Sequence, residues 1–158
     1  MSPTMPPPIS PPMAPDEIAS RIIAGAPDAI LYCDREGRIR MWNDACARIF
    51  GHTAEEATGR PLDIIIPENL RDRHQRGFDE TMRTGHTRYG AGDLLAVPAL
   101  RKDGSRISVE FSIIPFRDDV GTITGIAAIM RDVTARFEEM KALRKASRAP
   151  SGNVPASN

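Results

Sequence analysis

The chain has 158 residues, and its 21 basic side chains are balanced by 21 acidic ones; that is enough for one self-stabilised domain with tails, and it leaves no net charge to draw the chain to a polyanion. DNA, RNA and anionic membrane surfaces are bound by displacing counterions from a basic face, so all three are disfavoured as partners. The two cysteines, Cys33 and Cys46, form no C-x-x-C pair, so neither a zinc knuckle nor a redox pair is expected, and reduced thiols suit a cytoplasmic protein.

Residues 1–15 hold seven of the 14 prolines and no charge, which favours an extended, disordered Pro-rich leader. Residues 16–24 carry Ile18, Ile22 and Ile23 at helical spacing, predicting a short entry helix. "AILYC" (29–33) and "RIRMW" (38–42) flank "DREG" and predict a hairpin turned at Gly37. Asn43 is placed to cap a helix that includes Ala47 and Phe50 and ends at Gly51, and Thr53 with Glu56 has the spacing of a capping box for the next. Gly59 and Pro61 end that second helix. His52 precedes its cap and is expected to be exposed.

Residues 67–85 form the longest helical pattern, with Pro67 suited to its first turn. Leu70, His74 and Phe78 fall in one i+4 row, which Met82 extends. Residues 92–100 then lead through the turn signal Asp103-Gly104 into 105–116. In that segment Ile107, Val109, Phe111 and Ile113 alternate with polar residues, the mark of a strand with one face inward. A turn at 118–122 opens the last strand, 123–133. Thr134 is placed to cap a helix over 135–145, and 146–158 read as a disordered tail. The sum is an α+β domain spanning 16–134: five antiparallel strands with helices packed on one sheet face.

A strand closing on Trp42-Asn43, two capped helices and a terminal Arg131-Asp132-Val133-Thr134 together resemble the PAS sensory domain family. That resemblance implies the PAS fold and a module that binds a small ligand or a partner and relays a signal through its ends. His74 lies on the apolar row, so its ring is expected to face the sheet, and Gly77 leaves space beside it. A neutral imidazole is a good iron ligand. The competing reading is a core histidine bonded to a carbonyl or carboxylate.

The heme-bearing PAS domains of bacterial oxygen-sensor kinases are similar in the long helix, where a segment opening near Pro-Glu and reading R-x-R-H supplies the proximal histidine. Here the matching residues are Pro67-Glu68 and Arg71-Asp72-Arg73-His74. By that resemblance His74 is the axial metal ligand of a heme, and Leu95, Phe111 and Ile113 line its distal side. Tyr89 or His86, with Arg83 or Arg88, would meet the propionates. One departure matters: the oxygen sensors carry an arginine on the strand before the central hairpin, where this chain has Leu95. An apolar wall cannot donate to bound oxygen, so carbon monoxide, nitric oxide or redox state stand beside oxygen as the signal. Met130 is read as a strand-core residue.

The reactive cysteine of light-sensing flavin PAS domains has no counterpart near 61–74. No nucleophile–base arrangement suggests an enzyme. The apolar Phe137, Met140 and Leu143 on the last helix imply a homodimer or a separate signalling partner, such as a kinase or regulator. The alternative is a ligand-free PAS interaction module.

Overall fold

A computed structural model describes residues 10–87 and 95–148. Helix α1 (Pro15–Gly25) leads into strands β1 (Ala29–Asp34) and β2 (Ile39–Trp42). Helices α2 (Asp44–Phe50), α3 (Ala54–Ala57) and α4 (Arg71–Thr84) follow, and then β3 (Leu95–Leu100), β4 (Arg106–Arg117), β5 (Ile123–Asp132) and α5 (Thr134–Ser147). The five strands form one antiparallel sheet in the order β2-β1-β5-β4-β3. Of the sequence expectations, residues 1–9 of the leader, 92–94 at the start of the third strand and 149–158 of the tail lie outside the described residues. No helix among the described residues is long and apolar enough to cross a membrane.

The period-two pattern sets the register. Leu31 pairs with Ala128, Ala29 with Met130, and Phe111 with Met130 from the other side, so these side chains share the inner face. They pack with Ile39, Trp42, Phe50, Ile65 and Val109 into one core. The Trp42 and Phe50 rings lie 5.6 Å apart, and the Trp42 indole donates to the His52 carbonyl at 2.9 Å. Beyond Ser112 the outward positions of β4 turn apolar: Ile114 and Phe116 are both exposed.

The caps predicted at Asn43 and Thr53 form. Asn43 Oδ1 accepts from Cys46 N at 3.0 Å, and Thr53 Oγ1 from Glu56 N at 3.1 Å. Gly51 closes α2 at φ 84°, a left-handed backbone that suits a residue without Cβ.

The predicted 67–85 helix is two pieces. Residues Glu68–Leu70 form a single 3-10 turn, with Leu70 N donating to Pro67 O at 2.8 Å. Leu70 then sits at φ −109°, ψ −5°. That backbone breaks the i→i−4 ladder, and the α-helix starts afresh at Arg71. At the other end of the domain, Thr134 does not cap α5: it is the first helical residue, after Val133. The helix runs to Ser147, so residues 146 and 147, expected in the tail, are helical.

Candidate functional site

The inner row of α4 carries His74. Leu70, His74 and Phe78 are half-buried and Met82 is buried, whereas Asp72, Arg73, Gln75, Arg76 and Asp79 are exposed. The His74 ring faces a crevice of about 30 Å³ lined by Gly37, Pro61, Leu62, Asp63, Gln75 and Phe78. Its Nδ1 is buried and has no hydrogen-bond partner. Burial holds the imidazole pKa below its ordinary value, against the opposing pull of Asp63, so the ring is neutral at pH 7. A buried neutral imidazole with a free nitrogen fits a metal-donor role. The space does not: about 30 Å³ admits one or two waters, so the crevice would have to widen before a porphyrin entered. Gly77 is exposed, with nothing within 4 Å of a Cβ built on it; it faces solvent and not the space beside the imidazole. The reason is angular, since three residues on from His74 and one before Phe78 lies off the inner row.

Leu95 pairs with Phe111, and Ile113 with Ala128, so all three expected distal residues lie on the inner sheet face. Phe111 and Ile113 pack against the core, and Met130 is buried within it. None of Leu95, Phe111 or Ile113 lines the His74 crevice. Arg83 lies on the outside of α4, bonded to both Glu80 carboxylate oxygens at 2.9 and 3.0 Å. His86 is exposed. Tyr89 and Arg88 lie outside the described residues.

Two arginines absent from the sequence reading hold the end of α4. Arg35 donates to Met82 O at 3.2 Å and also to Ile123 O. Arg117 donates to Gly85 O at 2.8 Å. Cations at helical C-terminal carbonyls meet both the orphan acceptors and the dipole.

His52, expected to be exposed, is buried at 7 % accessibility. The Trp42 ring lies edge-on to it with centroids 6.5 Å apart, and neither ring nitrogen makes a hydrogen bond of good geometry. Nothing local in the sequence signals this, because Lys102 reaches the site from a distant turn.

The exit from the sheet is a bonded junction. Asp132 Oδ1 accepts from Thr134 N at 2.9 Å and from Thr134 Oγ1 at 2.5 Å. Thr134 Oγ1 in turn accepts from Ser108 N at 3.0 Å. Arg101 approaches Asp132 at 3.7 Å. Beyond it Phe137, Met140 and Leu143 are exposed along α5, beside an open groove of about 1180 Å³ that also touches Ala96 and Glu110.

Residues 23–138 match the family described as PAS fold. The chain is 36% identical over 119 residues to an uncharacterized protein of Azorhizobium caulinodans, covering 75% of this chain and 16% of that protein. It is 29% identical over 126 residues to the sensor protein FixL of Bradyrhizobium diazoefficiens, covering 76% of this chain and 24% of FixL. The chain thus spans a quarter or less of these curated relatives. Among solved structures, the PAS domain of a Colwellia psychrerythraea protein superposes with a TM-score of 0.65 at 21% identity, covering 75% of this chain and 97% of that one.

Proposed function

The chain belongs to the PAS fold family, and from that premise we propose that this sensory domain, related to sensor kinases, takes heme through His74 and reports a diatomic gas or a redox change through α5. The observation that carries the heme reading is the half-buried, neutral His74 ring on the inner row of α4, with a buried Nδ1 free of any hydrogen bond. A heme iron held there would bind the gas or change oxidation state. Leu95, Phe111 and Ile113 on the inner sheet face would offer a bound gas no hydrogen-bond donor, which puts carbon monoxide, nitric oxide or redox state beside oxygen as the signal. Tyr89 and Arg83 are the proposed propionate contacts, Arg83 after leaving Glu80. His74 is the one metal ligand proposed.

The domain works without catalysis, in the cytoplasm, as a homodimer or with a separate kinase or regulator. The exposure of Phe137, Met140 and Leu143, at 50%, 48% and 60%, supports an interface on α5. Two arrangements of that helix relative to the sheet, biased by the bound state, are sufficient to transmit the signal.

The test is the absorption spectrum of the purified chain titrated with hemin. A Soret band that is lost in His74→Ala, with the circular dichroism unchanged, is the expected result. A ligand-free interaction module is the second reading, favoured by the small crevice beside the ring. A protein that leaves hemin free supports that second reading, whereas one that binds hemin equally well without His74 removes His74 as the ligand.

A further inference from the structure

We propose that His52 is a proton-operated latch on the output helix, acting through Glu56, Lys102 and Arg101 on the Asp132–Thr134 junction. Glu56 Oε2 lies 2.6 Å from Lys102 Nζ and 3.9 Å from His52 Nδ1, so one carboxylate oxygen serves two possible partners. With a neutral ring, Glu56 belongs to Lys102. A proton on the ring creates a buried cation, and the nearby Glu56 oxygen is its available counter-charge. Turning toward the ring draws Glu56 from Lys102.

Lys102 is not free to absorb that change alone. Its backbone N–H donates to Phe50 O at 2.8 Å, which ties the β3–β4 turn to the end of α2. The next residue back, Arg101, has a buried Nε with no partner and faces Asp132 at 3.7 Å, a separation with slack in it. Asp132 holds Thr134, and Thr134 holds Ser108 N on β4. The corner between α2 and α3 is therefore joined to the start of α5 through one short turn.

The groups facing His52 are Glu56 on α3, Arg60 after it, Lys102 on the β3–β4 turn and the Trp42 ring on β2. Burial, Arg60 and Lys102 hold the proton off; Glu56 and, less, the Ile64 carbonyl favour it. The latch therefore opens on the acid side of the ordinary imidazole range.

The inference needs α5 to be the output element, as read above, and needs no heme. Its test is an NMR titration of the whole chain from about pH 7.5 to about pH 5. The Thr134 and Ser108 amide shifts are expected to move with the His52 ring midpoint. His52→Gln flattens both amide curves. Lys102→Met, at a half-exposed side chain, leaves the ring titrating and flattens the amides; it carries the test if His52→Gln does not fold. Amides that stay flat while His52 titrates overturn the latch. So do a ring that takes no proton in this range, amides that follow another histidine, and coupling that survives Lys102→Met. If the amides follow His52 but oligomeric state and partner binding ignore pH, the latch stands and the output reading of α5 fails.

Discussion

Asn43 Oδ1 accepts the backbone N–H of Ile30 at 3.0 Å while accepting the α2 N–H of Cys46 at the same distance. Its Nδ2 donates to Ile23 O and Asp28 O at 2.9 and 3.0 Å. One buried amide thus fastens α1, β1 and α2 together. Asn43→Ala is expected to cost about 2–4 kcal/mol, since it loses the cap and strands buried backbone groups. Asn43→Asp keeps both acceptor bonds and loses the two donors, so α1 should become protease-sensitive while the sheet melts near its normal temperature. Thermal melts and limited proteolysis separate the two variants.

Gly125 lies under the Tyr32 ring: a Cβ there would sit 2.0 Å from the hydroxyl and 2.6 Å from Cys33 O. Gly125→Ala is expected to destabilise by about 1–3 kcal/mol in denaturant unfolding. Adding Tyr32→Ala should recover only part of this, because the Cys33 carbonyl is backbone and stays. Full recovery would mean the side chain is the sole obstacle.

Thr134→Val keeps the shape but removes the hydroxyl that donates to Asp132 and accepts from Ser108 N. A loss of about 1–2 kcal/mol is expected, and α5 amides should exchange faster than those of β4 and β5. Thr134→Ser, which restores the hydroxyl, should restore protection. Equal exchange in all three proteins would assign no holding role to the junction.

Cys33 and Cys46 are buried, and burial pushes both thiols up to about 12. Almost no thiolate exists at neutral pH, and thiolate is the reactive form. Labelling by a disulfide reagent should therefore proceed at the unfolding rate and accelerate with denaturant. Rapid labelling of the native protein would contradict the packing around α2 and β1.

Burial lowers the pKa of both His52 and His74 in the folded chain. The unfolded chain then binds more protons at acid pH, so stability is full above the unfolded imidazole value of about 6.5 and falls as pH drops below it. The melting temperature should decline from about pH 6.5 downward, and His52→Gln should flatten part of that decline. An unchanged slope in His52→Gln would mean that His52 does not titrate with unfolding.

What the sequence conveys well is what neighbours along the chain decide. Alternation places Ile107, Val109, Phe111 and Ile113 inward, and Asn43 and Thr53 announce their helices because a cap needs only its own first turn. The i+4 row turns His74 inward for the same reason. Local rules fail where distant groups meet. Pro67 suits a first turn, yet the backbone at Leu70 breaks the ladder. His52 reads as exposed because its neighbours Trp42 and Lys102 come from β2 and from the β3–β4 turn. The room beside His74 depends on how Gly37 and Leu62 approach α4, and spacing alone carries no record of volume.

Ala29, where the first strand begins, is the register partner of Met130, four residues before α5 begins at Thr134. Way in and way out therefore lie side by side, on the adjacent inner strands β1 and β5. The last residues before the sheet and the first after it are thus held together by the same backbone ladder, and neither strand end can shift without breaking pairing with the other.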